Sequence, residues 1–111
     1  MYYLLDENKK PYKVSLEEGM KVYEDLQMKI VEQDVSDNGK IFISTVFLGM
    51  DHSFDRHNKS INHKPILFET MIFGGEHNDF QARYHTYDEA IEGHQYALNL
   101  VEESLNPKKE K

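Results

Sequence analysis

Two apolar segments of the sequence carry ionisable residues inside, or at the end of, what would be β-strands. Asp51 and His52 close the segment 41–52, and Glu69 lies within the segment 65–75. Burying such groups costs free energy unless they are paired or contact a ligand. We therefore expect a functional site at the ends of these strands.

His94 is a further candidate, because it lies on the apolar face of the last predicted helix. It stands three or four residues from Ala90, Ile91, Ala97 and Leu98. It is therefore either a ligand-contacting or metal-binding residue, or a core histidine hydrogen-bonded to a carboxylate such as Glu69. We favour the core histidine, since buried polar groups normally have protein partners.

Four of these side chains could together supply three or four ligands to zinc or to a harder divalent ion. They are Asp51, His52, Glu69 and His94. The sequence has none of the spacings His-x-Glu, His-x-x-x-His or Asp-x-Asp that would mark such a site, and no Gly-x-Ser-x-Gly nucleophile motif. We therefore predict a protein with no catalytic residue, no metal and no cofactor, and a His/carboxylate metal hydrolase is the least favoured function.

The two arginines of the chain, Arg56 and Arg83, are candidates for binding an anion. Arg83 and Tyr84 lie just before a predicted helix, and free helix-start amides, a guanidinium and a stacking ring suit a nucleotide. Phe54 and Arg56, in the polar segment 51–64, could close over such a ligand. In the alternative interpretation, Arg83 pairs with a surface carboxylate and Tyr84 packs into the core.

Composition limits the class of protein. A chain of 111 residues is predicted to form one domain, with a disordered tail from about 106 to 111. The formal net charge of −7 argues against nucleic-acid binding, because phosphate neutralisation needs a clustered basic surface. No apolar stretch is long enough to span a membrane and no secretion signal is evident, so we expect a cytoplasmic protein without a membrane partner. The absence of cysteine excludes disulfides and thiolate metal sites.

The elements that must position these residues follow from local patterns. Segments 2–5 and 12–14 have strand character, and the capping-box pair Ser15 and Glu18 predicts a helix that ends near Met28. Further strands are predicted over 29–35, 41–48, 66–73 and 80–84, with glycine-containing turns between them. Thr86 and Glu89 form the capping box of the last helix. The pattern predicts an α+β fold, a single small domain of mainly antiparallel sheet with two α-helices packed on it.

The strand 41–48 is apolar on both of its faces. Ile43 and Phe47 alternate with Phe42 and Val46. Such a strand is typical of a central position in a sheet that is covered twice, by a helix or by another subunit. We therefore predict a homo-oligomer.

Several motifs resemble a family of small proteins, of unassigned function, that bacteriophages and prophages encode widely. They are Tyr3-Leu-Leu-Asp-Glu-Asn, Ser44-Thr-Val-Phe-Leu-Gly-Met-Asp-His52, Pro65-Ile-Leu-Phe-Glu-Thr-Met-Ile-Phe-Gly74, Arg83-Tyr84, Thr86-Tyr-Asp-Glu-Ala90 and Gly93-His94. The resemblance covers most of the chain and implies a phage accessory protein that acts in the host cytoplasm. The chain departs from the family in its longer, histidine-bearing segment 53–64, so contacts from that segment are the least transferable.

By analogy with small phage proteins that modulate the host, we expect a non-catalytic protein that counters antiviral defence. It would bind and sequester a nucleotide-derived signal of the cyclic nucleotide or cyclic ADP-ribose type. The predicted ligand-binding residues are Asp51, His52, Phe54, Arg56, Glu69, Arg83, Tyr84 and His94. The alternative is a protein-binding inhibitor of a host enzyme, which would use the acidic surface of the chain.

Overall fold

The computed structural model describes residues 2–53 and 64–105. Phe54, Arg56 and the predicted disordered tail 106–111 lie outside this part of the chain. The strands are β1 (Tyr2–Leu5), β2 (Pro11–Val14), β3 (Ile30–Val35), β4 (Phe42–Phe47), β5 (Phe68–Phe73) and β6 (Gln81–Tyr84). The helices are α1 (Leu16–Gly19), α2 (Lys21–Glu24), α3 (Leu26–Lys29) and α4 (Tyr87–Leu105).

The arrangement of these elements confirms the predicted α+β class. Strands β3, β4, β5 and β6 form one antiparallel sheet in that order, and β1 and β2 form a separate antiparallel hairpin. Helix α4 contacts all four strands of the larger sheet. None of the helices in the described residues combines the length and the apolar character that a membrane span requires.

The predicted first helix is divided into three single turns. Ser15 caps the first turn as expected, since its hydroxyl accepts a hydrogen bond from the Glu18 amide at 3.2 Å. Asp25 then adopts an extended backbone, and its carboxylate accepts from the Gln27 amide at 3.0 Å. An aspartate that caps a new turn in this way cannot also continue the preceding one. The region predicted as the first helix is therefore three short helical turns, and α4 is the one long helix of the described chain.

The core lies between α4 and one face of the sheet. The strand side chains buried on this face are Ile43, Thr45, Phe47, Phe68, Thr70 and Ile72. The helix contributes Ala90, His94, Ala97 and Val101. Alternate strand residues and helix residues at three- and four-residue steps meet here, because these are the periods of the two structures.

The opposite face of the sheet is only partly covered. The rings of Phe42 and Phe73 stack there with centroids 6.0 Å apart, and Phe73 is 45% exposed. Val35 pairs with Phe42 in the sheet register and is 59% exposed. Strand β4 is therefore central, as predicted, but α4 covers only one of its faces.

The start of α4 has the predicted capping box. The Thr86 hydroxyl accepts from the Glu89 amide at 3.1 Å, and the Glu89 carboxylate accepts from the backbone amides of His85 at 3.0 Å and Thr86 at 3.1 Å. These two backbone hydrogen bonds, that from His85 first, lower the pKa of Glu89 below its usual value. The Glu89 carboxylate thus holds the amides of the two residues just before α4, and the Thr86 hydroxyl caps one amide of the first helical turn.

Replacing this carboxylate by an amide should remove a pH-dependent part of the stability. The depressed pKa of Glu89 means that its charge stabilises the fold above the unfolded pKa, and that this stabilisation disappears as pH falls through the lower, folded value. We expect Glu89→Gln to lower the free energy of unfolding at neutral pH by less than about 1 kcal/mol, since the site is exposed.

Urea denaturation of both proteins between neutral and acidic pH measures this difference. Glu92→Gln is the matched control, because it makes the same change one turn further along α4. A gap between wild type and Glu89→Gln that is independent of pH would contradict the capping role of the charge.

Candidate functional site

Four polar side chains form a continuous hydrogen-bonded chain beneath α4, here called the His94 chain. Thr70 Oγ1 lies 2.6 Å from Thr45 Oγ1, and Thr45 Oγ1 lies 2.7 Å from His94 Nδ1. His94 Nε2 lies 2.8 Å from Asp34 Oδ2. Both threonines are fully buried and His94 is 1% exposed, whereas the Asp34 side chain is 42% exposed. The chain therefore runs from the core to the surface of the sheet edge.

The sheet register determines which residues meet in this chain. Thr45 and Thr70 are directly paired across β4 and β5. On the other side of β4, a register shift between Ile30 and Glu32 pairs Glu32 with Thr45 and places Asp34 two residues further along the same face. A bulge of this kind inserts one extra residue and redirects the side chains that follow it.

The direction of each hydrogen bond follows from what the groups can donate. The Asp34 carboxylate only accepts, so His94 Nε2 must carry a proton in this arrangement. When the ring carries that proton alone, Nδ1 accepts from Thr45, and Thr45 in turn accepts from Thr70. Every polar atom at the three contacts is then satisfied, which makes the buried imidazole compatible with the core.

A hydroxyl, an imidazole and a carboxylate in a row resemble the order of a hydrolase triad. The Thr45 hydroxyl, however, has no exposed surface and is already bonded to Thr70. It cannot contact a substrate in this conformation. The geometry therefore favours a positioning role for these groups over a nucleophilic one.

The expected partner of His94, Glu69, lies on the opposite face of the sheet. Its carboxylate accepts from Arg83 Nε at 3.0 Å and from the Gln81 side-chain amide. Its side chain is 13% exposed and that of Arg83 is 34% exposed. The prediction that Glu69 and His94 share a site is wrong, because adjacent residues of a strand point to opposite faces and it is Thr70 that faces the helix.

Asp51 and His52 lie apart from both His94 and Glu69, after the end of β4. The Asp51 carboxylate accepts from the amides of Ser53 at 2.8 Å and Ile66 at 2.9 Å. His52 Nδ1 lies 2.7 Å from the Met50 carbonyl oxygen, and the His52 amide donates to Ile66. These contacts connect residues 51–53 to Ile66.

Tyr84 packs against the core instead of presenting a free ring. It contacts the buried cluster around Phe68, and its hydroxyl is buried without a hydrogen-bond partner. A Cβ atom at Gly93 would overlap the Tyr84 ring, so this glycine makes room for that side chain. Together with the Arg83–Glu69 pair, this is the geometry of the alternative interpretation, although both residues also line a pocket of about 610 Å³ between β6 and α4.

A groove of about 540 Å³ lies between the β1–β2 hairpin and the start of α4. We call it the tyrosine groove, and its lining is Tyr3, Pro11, Tyr12, Lys13, Lys64, Pro65, His85, Thr86 and Glu89. Tyr12 is 47% exposed, whereas Tyr3 is buried, and burial, followed by the charge of Asp51, raises the pKa of Tyr3. The groove was not predicted from the sequence, because it depends on contact between a hairpin and a helix that are distant along the chain.

Comparison with known proteins adds no functional assignment. No family model matches the chain, and neither the curated proteins nor the solved structures gave a match. The function must therefore be argued from the groove and from the His94 chain themselves.

The two threonines of the His94 chain should contribute unequally to the free energy of unfolding. Thr45→Val would leave His94 Nδ1 and the Thr70 hydroxyl without partners, which should cost about 2 kcal/mol or more in the free energy of unfolding. Thr70→Val removes only the last contact and should cost about 1 kcal/mol. Urea denaturation of the purified variants measures both values.

Ser44→Ala is the matched control, since Ser44 lies on the opposite face of the same strand in an exposed hydrogen bond to Gln33. Its effect should stay below about 0.5 kcal/mol. If Thr45→Val and Ser44→Ala lower the free energy of unfolding equally, the hydrogen bonds of the His94 chain contribute nothing specific to stability.

Proposed function

We propose that the protein is a non-catalytic binding protein for a small, anionic, ring-containing ligand of the nucleotide-derived class, held in the tyrosine groove. The observation that carries this proposal is the combination of lysine and tyrosine side chains around one cavity of about 540 Å³. Small-molecule sites usually enclose roughly 300 to 1,000 Å³. The cavity is therefore of a suitable size for a nucleotide.

Charge supports the choice of an anion. The chain has a formal net charge of −7, yet Lys13 and Lys64 both line this groove. Glu89 also lines it, but its carboxylate accepts from the backbone amides of His85 and Thr86, just before α4. The lysines are thus the side chains we assign to phosphate, in place of Arg83, which is paired with Glu69.

Aromatic surface supports the choice of a ring. Tyr3 and Tyr12 both contribute to the wall of the groove, and the half-exposed Tyr12 offers a face on which a base could stack. His85 adds an imidazole to the same wall, and its Nδ1 lies 2.9 Å from the Pro65 carbonyl oxygen. A planar ligand with a phosphate group matches both features of the groove.

Sequestration of a host defence signal is the role that we propose for this binding. It rests on the resemblance of the sequence motifs to a phage-encoded family. Action in the host cytoplasm belongs to the same proposal.

Calorimetry tests the binding directly. The purified protein is titrated with cyclic dinucleotides, cyclic mononucleotides and cyclic ADP-ribose isomers, and we expect at least one dissociation constant below the micromolar range. Lys13→Gln and Lys64→Gln should each weaken that binding by about tenfold, the effect of losing one charge-assisted contact at an exposed position.

Lys40→Gln is the matched control, because Lys40 is exposed in the β3–β4 turn and does not line the groove. Failure of the wild-type protein to bind any compound of the panel would overturn the proposed function. Binding that is reduced equally by all three lysine variants would reflect net charge and would place the ligand elsewhere.

We also propose that the open face of the sheet pairs with a second copy of the chain. Val35, Phe42 and Phe73 lie side by side across three strands, and two of them are 59% and 45% exposed. Contiguous exposed apolar surface of this kind usually marks an interface.

Sedimentation velocity at micromolar to millimolar concentration tests this assembly. We expect a dimer or larger species for the wild type and a shift to monomer for Phe73→Ser. Tyr96→Ser is the control, because Tyr96 is a similarly exposed aromatic residue on α4, 57% exposed. A wild-type protein that remains monomeric over this range has no such interface.

A further inference from the structure

We infer that Glu32, Asp34 and His94 form a binding site for a divalent transition-metal ion, with zinc the ion that fits best. One carboxylate oxygen from each acidic residue and a ring nitrogen of His94 lie within 4.8 Å of one another. The site shares no residue with the tyrosine groove. It is therefore independent of the proposed function.

The backbone brings the three ligands together from two elements. Glu32 and Asp34 are alternate residues of β3 and project from the face that α4 covers, while His94 comes from α4 itself. The register shift before Glu32 sets it opposite Thr45, the residue that holds His94. Glu32 makes no hydrogen bond or ion pair within the described residues, so its carboxylate is available as a ligand.

The distance between His94 and Asp34 requires only a small adjustment. His94 Nε2 and Asp34 Oδ2 are 2.8 Å apart, the length of a hydrogen bond. Two ligand atoms about 2.0 to 2.1 Å from a tetrahedral zinc ion lie roughly 3.3 Å apart. Rotation of the half-exposed Asp34 side chain can supply that difference, whereas His94 is held in place by the core.

The donor set selects the class of ion. One imidazole nitrogen with two carboxylates suits zinc or manganese, whereas magnesium and calcium prefer sites made entirely of oxygen. Three protein ligands leave a coordination position for water or for a further group. The ion can approach from solvent, because β3 is an edge strand and the Asp34 side chain is 42% exposed.

The buried threonines provide the support that a ligating histidine needs. A metal-bound imidazole normally donates its other ring N–H to a fixed acceptor. If Nε2 binds the ion, Nδ1 carries the proton and donates to Thr45, whose hydroxyl can then donate to Thr70. Because hydroxyls both donate and accept, the same two threonines satisfy the ring with and without the metal.

The test is a titration of chelator-treated protein with zinc, manganese, magnesium and calcium, followed by competition against a chromophoric chelator. We expect one equivalent of zinc to bind with a micromolar or lower dissociation constant and to raise the melting temperature. Magnesium and calcium at the same concentrations should have no effect. Absence of zinc binding would overturn the proposal.

Other histidines of the chain can also bind zinc, so variants are needed to locate the ion. Glu32→Gln and Asp34→Asn should each weaken zinc binding by at least about tenfold. Asp37→Asn, the same change three residues beyond Asp34, should leave it unchanged. Glu32 lies on the edge strand and has no hydrogen-bond partner in the part of the chain that the structure describes, so we expect Glu32→Gln to remain folded. Zinc binding that is equal in Glu32→Gln, Asp34→Asn and Asp37→Asn would place the ion elsewhere and overturn the proposal.

Discussion

The fold depends on a polar chain that crosses its core. Thr70, Thr45, His94 and Asp34 join β5, β4, α4 and β3 through three short hydrogen bonds, two of them with no access to solvent. An unpaired imidazole at this depth would cost much of the stability of a small domain. The helix can therefore dock in only one register on the sheet, the one that satisfies His94.

Both proposed sites follow from that docking. The start of α4 forms one wall of the tyrosine groove, and the middle of α4 brings His94 to the carboxylates of β3. The other face of the sheet is free of this constraint and carries the Arg83–Glu69 pair and the stacked Phe42 and Phe73. The two faces therefore differ in kind: one has an internal polar connection, and the other has surface suited to contact with another molecule.

Local features of the structure were predictable from the sequence, and long-range pairings were not. The Thr86–Glu89 capping box depends on residues three apart, and it formed as predicted. The position of His94 on an apolar stripe correctly marked it as buried, but its partner Asp34 lies sixty residues away. The choice of that partner depends on strand register and on a bulge, which no local pattern encodes. Because side chains alternate between the two faces of a strand, a shift of one residue decides whether Glu69 or Thr70 faces the helix.

The most direct test of the His94 chain is ¹⁵N NMR of the histidine rings in protein freed of metal by a chelator. We predict that His94 Nε2 carries a proton that exchanges slowly with water, because it is buried and donated to Asp34. His77, whose side chain is 30% exposed, provides the internal comparison in the same spectrum. If the His94 ring protons exchange as fast as those of His77, or if Nε2 carries no proton, the hydrogen bonds of the His94 chain are not formed as described. The helix docking that depends on them would then be contradicted as well.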